Sequence, residues 1–287
     1  MLADAARAEA YRLSKNRIQI GLSVFLTPLL FVLGGLFLLW QARTQGGAAA
    51  AAMGLNPGSA SAPLNLADTL IASADKGANG LMLVLMLVAA ATLYAGDYRW
   101  ETWRLISARN GRTSLLGGKL LVMTGLALAG MVVFQIAGLI VALAQAAMFE
   151  RSITFDMSAG ALGDLVLTWL LSWLRIVQYV MIALLTAVVS RSLLAALFVP
   201  WALGFVQTLL GQLGPAVFGW EPQGWTMHLL LPGHAYDALK TLVVPPAGPV
   251  PGPAPALWPA LTSLVLWTLL PLLAALAWFR RQDLAKE

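Results

Sequence analysis

His228 and His234 are the only imidazoles in this 287-residue chain, which contains no cysteine. Six residues apart, they lack the i, i+4 spacing that puts two ligands on one helix face around zinc, and they read as ordinary interfacial residues. The absence of cysteine removes disulfides, thiolate metal sites and thiol nucleophiles together. Ten methionines could hold a soft metal, but only Met82 and Met86 share a helix face. An unbranched thioether is also a common filler of apolar interiors, so no metal site is expected. The run from Gly111 to Leu120 looks like a phosphate loop until it is counted. Thr113 stands where the first glycine of the Gly-x-x-x-x-Gly-Lys-Ser/Thr motif belongs, and Leu120 replaces the magnesium-binding hydroxyl. No nucleotide site or cofactor is expected in the chain itself.

Nucleophilic chemistry inside a membrane needs a nucleophile, a base and an orienting group close together. The apolar segments hold no histidine, and none holds two carboxylates. Arg175 is the one clear charge within such a segment, and charges there face protein or water rather than lipid. It is either a structural partner of Asp164 or a backbone carbonyl, or it lines a substrate path. Asp164 is about three turns away on the same helix, roughly 16 Å, so a direct pair would need another geometry. Gln135, Gln145, Gln178 and Gln207 are the other polar groups in these segments, able to line a path or to bond between helices. Gly138, Ala142 and Ala146 recur every four residues and mark close helix packing.

The elements that position these residues follow from composition. The chain is 59% hydrophobic and 11% charged, against roughly 25% charged in globular proteins, with a mean hydropathy of +0.77. Those values exclude a soluble enzyme, a disordered chain and a nucleic-acid binder, despite a net charge of +5. A membrane-crossing helix needs about 20 mostly apolar residues, and six such runs occur, at 18–40, 79–96, 120–149, 162–189, 193–220 and 257–279. The expected fold is an all-α integral membrane protein, residues 1–287 forming a single transmembrane domain. The third run exceeds the bilayer and should tilt or project from it.

Residues 1–17 place Arg7, Arg12, Lys15 and Arg17 among alanines, with Leu2, Ala6, Ala10 and Leu13 on one stripe, which reads as an interfacial helix. The run 18–40 is too long for a signal-peptide core and reads as an uncleaved first span. Residues 41–76 read as a loop with one short surface helix. In the outer loop 221–256, the stretch from Pro245 to Pro255 cannot be a continuous helix. Trp220, Trp225, Leu229, Leu230 and Leu231 are too apolar to leave in water, which predicts short re-entrant or interfacial helices before the sixth span.

Lys and Arg gather on the cytoplasmic side of membrane proteins. Thirteen of the eighteen lie in the two tails, the 97–119 loop and the 190–192 turn, four lie in the other loops, and Arg175 lies in a span. Both termini are therefore expected in the cytoplasm. The most charged stretch, 97–119, reads as a short helix over about 98–109, a turn at Asn110-Gly111 and a basic approach to the third span. Its cations and tryptophans either anchor two spans at the headgroups or present a protein-binding surface centred on aromatic and Arg anchors.

The order of these elements, with Asp97-Tyr-Arg-Trp100-Glu101-Thr102-Trp103-Arg104-Leu-Ile-Ser-Ala-Arg109, then Arg112-Thr-Ser-Leu-Leu-Gly-Gly-Lys119, and the ending Phe279-Arg-Arg-Gln-Asp283, resembles the permease subunits of ABC-2 type transporters. Glu101 stands where that family often has glycine, and Asn110 where it has proline. The resemblance implies a permease subunit of an ATP-driven exporter in the bacterial inner membrane, without catalytic residues of its own. It would act as a dimer, a homodimer in the simplest case, embedded in lipid and binding no nucleic acid. ATP and magnesium would bind a separate ATPase subunit. Asp97, Trp100, Glu101, Thr102, Trp103, Arg104 and Arg109 would belong to the coupling helix that docks this ATPase. Arg7, Arg12 and Lys15 would belong to an amino-terminal elbow helix, and Arg175, Gln135, Gln178 and Gln207 to the path or to interhelix contacts. An integral membrane enzyme acting on lipid and a non-transport assembly protein are the alternatives.

Overall fold

A computed structural model describes residues 2–45, 63–99, 111–245 and 255–282. Among them are six helices long and apolar enough to cross a membrane, the architecture of a multi-pass membrane protein. In chain order the helices are α1 (Leu2–Lys15), α2 (Arg17–Thr44), α3 (Leu66–Asp75), α4 (Gly80–Arg99), α5 (Arg112–Met148), α6 (Ala159–Ser190), α7 (Leu193–Phe218), α8 (Trp225–Leu230), α9 (Pro232–Val243) and α10 (Leu257–Arg281). The six long ones are α2, α4, α5, α6, α7 and α10.

Local chemistry sets the boundaries. Asn16 separates α1 from α2, its side-chain oxygen accepting from the Gln19 amide at 3.2 Å, the geometry of a helix start. A π-helical turn at Gly21–Leu26 precedes Pro28, which has no N–H to donate to the preceding turn. Ser158 caps α6 through the Ala161 amide at 3.1 Å. That helix ends at Arg191, whose φ of 56° is left-handed, and Ser192 caps α7 at once through the Ala195 amide. The chain thus reverses between two long helices in two residues.

α5 starts at Arg112, so residues 112–119, read from composition as loop, form the first turns of a 37-residue helix. The buried core lies among α4, α5 and α6, where Met82, Met86, Met123 and Leu184 are fully enclosed. Met82 and Met86 pack onto α5 at Gly130, which gives them a packing role. α2 lies on α5, with Phe31 and Phe134 rings 4.9 Å apart, and turns Leu29, Leu33 and Phe37 outward. α7 is the least enclosed of the six long helices.

The connection before α3 and the one after α5 meet in a two-residue parallel pairing, β1 (Leu64–Asn65) on β2 (Ile153–Thr154). Two-residue strands carry no periodic pattern, and the sequence gives no sign of this one. α3, expected as a surface helix, is packed between α5 and α6. Gly138 leaves room for Ser73 where any β-carbon would collide, and Gln135 Nε2 donates to the Leu70 carbonyl at 2.6 Å. With ten residues, α3 is too short to cross a bilayer.

The segment before α10 forms the two short helices expected there. Met227, Leu231, Ala235 and Leu239 are buried, while Trp225 and Leu230 remain exposed. α8 and α9 are stitched down by polar bonds: Trp267 Nε1 donates to the Leu229 carbonyl at 2.7 Å, and the Tyr236 hydroxyl meets Ser172 Oγ at 2.9 Å.

Candidate functional site

Two polar constellations interrupt the apolar bundle, one at each end. The first joins α1 to the feet of the 100–110 segment. Lys119, on the second turn of α5, has a side chain only 1% exposed, because Gly118 beside it brings the two backbones together. A β-carbon at Gly118 would lie 2.9 Å from the Ala5 carbonyl carbon of α1. Its ammonium donates to the Leu93 carbonyl at 2.9 Å and pairs with Asp97 Oδ2 at 2.5 Å and Glu9 Oε1 at 3.1 Å. Arg12 closes the ring, its Nη1 donating to Asp97 Oδ1 at 2.7 Å. Its Nη2 lies 3.1 Å from Glu9 Oε2, out of hydrogen-bond alignment. Two cations and two anions thus cancel, with Glu9, Asp97 and Lys119 buried and the Arg12 side chain 43% exposed at the edge. Burial opposes the Arg12 charge, yet the Asp97 hydrogen bond and charge outweigh it and hold the pKa above the usual arginine value.

Charges leave water only when mutually satisfied, because the desolvation cost is several kcal/mol per ion. This quartet therefore fixes α1 in one place. The buried stripe of α1 is Ala5, Glu9 and Leu13, one position off the Leu2–Ala6–Ala10–Leu13 stripe expected from hydrophobicity, because a glutamate with an ion partner belongs inside. A second tie completes this end. Arg112 Nη1 donates to the Gln282 carbonyl at 2.5 Å and the Arg280 carbonyl at 3.1 Å, covering the electronegative end of α10. The Gln282 side chain donates to the Val188 carbonyl and accepts from the Tyr98 hydroxyl.

Asp97, expected among the docking residues, is 2% exposed and belongs to this quartet. Trp100, Glu101, Thr102, Trp103, Arg104 and Arg109 lie outside the described residues. Arg7 and Lys15 are exposed on α1, with the Lys15 ammonium 4.9 Å above the Tyr11 ring. Sequence reasoning missed Lys119, Glu9 and Gln282. For Lys119 the signal was its position after Gly117-Gly118, which announces a close neighbour.

The second constellation surrounds Arg175, in a cavity of about 510 Å³ bounded by α4, α6, α7 and α9. Its Nη1 donates to Gln178 Oε1 at 3.1 Å and its Nη2 to the Tyr179 hydroxyl at 3.5 Å. The guanidinium also lies over the Tyr179 and Tyr236 rings, at 4.9 and 5.9 Å. Asp164 is not its partner and instead borders a separate outer groove with Asp75 and Lys240. Gln178 bonds across to the Leu264 carbonyl at 3.2 Å, so it and Gln135 tie helices together. Gln207 lines the Arg175 cavity with its buried Nε2 unpartnered.

At the rim, Lys240 pairs with Asp75 at 2.6 Å. Burial opposes its charge, but Asp75 outweighs it and raises the pKa. Asp237 has a raised pKa, through burial partly offset by Lys240, Arg175 and His234. The two histidine rings meet edge-on at 4.9 Å, and each ring donates to a backbone carbonyl: His228 Nδ1 to Gly224 and His234 Nε2 to Pro222. Among the described residues no cluster of three or more metal-ligating His, Cys, Asp or Glu occurs. No protein-family model matches the chain, and no curated protein matches it.

Proposed function

We propose that this chain is the permease subunit of an ABC-2 type ATP-driven exporter, paired with a second copy and docking a separate ATPase subunit that holds ATP and magnesium. The observation that carries the reading is the charge quartet of buried Glu9, Asp97 and Lys119 closed by the partly exposed Arg12. It clamps the amino-terminal helix to the two helix ends from which residues 100–110 are suspended. A loop that only anchors two spans at the headgroups needs no such fixed footing. A loop that receives a push from a partner does, since displacement at its tip reaches the helices only if its feet do not slip.

On this reading Trp100, Trp103 and Arg104 contact the ATPase, while Asp97 holds their base. Closure of the ATPase pair biases a two-state bundle through contacts that differ between its states. The excess of Lys and Arg at the quartet end favours the cytoplasm for that end and for both termini, in a bacterial inner membrane.

The test is to purify Trp100→Ala, Trp103→Ala and Arg104→Ala with the partner ATPase. Loss of a central anchor at an interface costs about 2 kcal/mol or more, roughly thirtyfold in affinity. Co-purification or stimulated hydrolysis should fall in these variants and persist in Lys240→Ala. Normal ATPase binding and normal transport in all three would overturn the reading.

A further inference from the structure

The cavity around Arg175 has more donors than acceptors. Arg175 is 8% exposed and carries five N–H groups, yet it makes two side-chain hydrogen bonds, one of them at 3.5 Å. Among the described residues no carboxylate forms an ion pair with it. Asp237 is the one carboxylate lining the cavity, at its rim, and it also lies in the field of Lys240 and His234. Gln207, equally buried, also lines the cavity, and its Nε2 donor has no hydrogen-bond partner. The Tyr179 hydroxyl accepts from Arg175, which leaves its own proton free to be donated. Gly233 lets the guanidinium lie against the backbone of α9, since a β-carbon there would sit 3.0 Å from Nη2.

The other walls are apolar: Leu83, Val84, Leu87, Trp201 and Phe205. Val84, Leu87 and Trp201 also border an apolar groove of about 110 Å³ that continues between α4 and α7 past Leu197 and Phe198. Trp201 and Phe205 stack at 6.3 Å and are half exposed on the outer face of α7. A polar chamber rich in donors therefore adjoins an apolar groove directed at the exposed face of α7.

We infer that this cavity binds an amphiphile with an oxyanion head, a phosphate or carboxylate, held by Arg175, Gln207 and Tyr179, with its alkyl chain in the groove between α4 and α7. An acceptor-only head matches donors that lack partners. A guanidinium binds such oxygens bidentately, and the apolar groove takes the chain at about 0.8 kcal/mol per buried CH₂. A cationic head would be repelled by Arg175, and a neutral head would accept hydrogen bonds without balancing the guanidinium charge. As a site the cavity stands independently, and only its role as a substrate site rests on the exporter reading.

The purified full chain in neutral detergent is titrated with dodecyl phosphate, dodecanoate and dodecyltrimethylammonium, and bound molecules are counted by native mass spectrometry. Phosphatidylglycerol is then added as competitor. The two anions should occupy one saturable site and the cation should not. Competition by phosphatidylglycerol would identify a membrane lipid as the source of the head, and its absence a free amphiphile. Arg175→Gln should weaken anion binding at least tenfold.

Gly211→Leu leaves Arg175 intact and narrows the chamber from α7, where a β-carbon has only Leu231 nearby at 3.8 Å. It should weaken binding comparably, so the test survives if Arg175→Gln fails to fold. Equal binding of cation and anions, wild-type affinity in a folded Arg175→Gln, or wild-type affinity in Gly211→Leu would overturn the inference. No ATPase is present, so failure here leaves the exporter reading standing. Failure of the Trp103→Ala test likewise leaves this site standing.

Discussion

Lys119 and Asp97 meet at 2.5 Å in the interior of the bundle, one on each of the two helices that flank residues 100–110. Removing one partner of a buried pair strands the other charge, at a cost of about 3–5 kcal/mol. Lys119→Met should therefore lower the apparent unfolding temperature sharply in a thermal scan of the detergent-solubilised protein. Adding Glu9→Gln to it removes the uncompensated negative charge, leaving Asp97 with Arg12, and should restore part of the loss. A double variant no more stable than the single one would show that Glu9 is not coupled to Lys119.

Contact between α1 and α5 depends on a missing side chain. Gly118→Val would thrust its β-carbon into the Ala5–Ala6 backbone, within 3.0 Å of both residues. The expected result is release of α1, read as faster proteolysis near Arg7 and Arg12. Gly125→Ala on the same helix meets nothing within 4 Å and should be neutral or stabilising by up to about 1 kcal/mol.

His228 supplies a pH dependence. Burial lowers its pKa, helped by His234 and opposed by the bond to Gly224. A depressed value in the folded state means that the unfolded chain binds the proton more readily. Stability is then full above the ordinary histidine value of about 6.5 and declines as pH falls through the lower folded value. Thermal scans between pH 8 and pH 5 should show this decline in the wild type and a flatter profile in His228→Gln. Identical profiles would remove His228 as the cause.

Reporter fusions test orientation. Fusions after Ser61 and Pro251 should read outside the cytoplasm, and fusions after Arg109 and Lys286 inside. An external signal at Arg109 would invert the assignment of the two ends.

The six long helices were legible because charge-free runs of bilayer length have few other uses. Their observed ends differ from the hydrophobic limits where a charged residue is buried. α5 begins at Arg112 rather than at residue 120 because Lys119, which reads as loop, is neutralised by groups far away in sequence. Arg175 was legible as an intramembrane charge, and its partners Gln178 and Tyr179 stand at i+3 and i+4, where a helix brings side chains together. Tyr236 was not, because nothing local announces that α9 folds back over α6. The buried face of α1 was misplaced by one position because hydrophobicity alone cannot credit Glu9 with an ion partner. The β1–β2 pairing is too short to leave a pattern.

Arg12 and Asp97 are 85 residues apart in sequence, and Arg112 and Gln282 are 170 apart. At about 5–20 residues per second during synthesis, α1 leaves the ribosome with Glu9 and Arg12 several seconds before Asp97 and Lys119 exist. Until α4 and α5 are inserted, the helix must wait at the membrane surface with its acidic side in water. The full set of ion pairs that holds that side inward forms only when Asp97 and Lys119 have joined Glu9 and Arg12. Insertion of the third span thus acts as a checkpoint in biogenesis, and the Arg112–Gln282 tie as a second one, closed only when the final helix arrives.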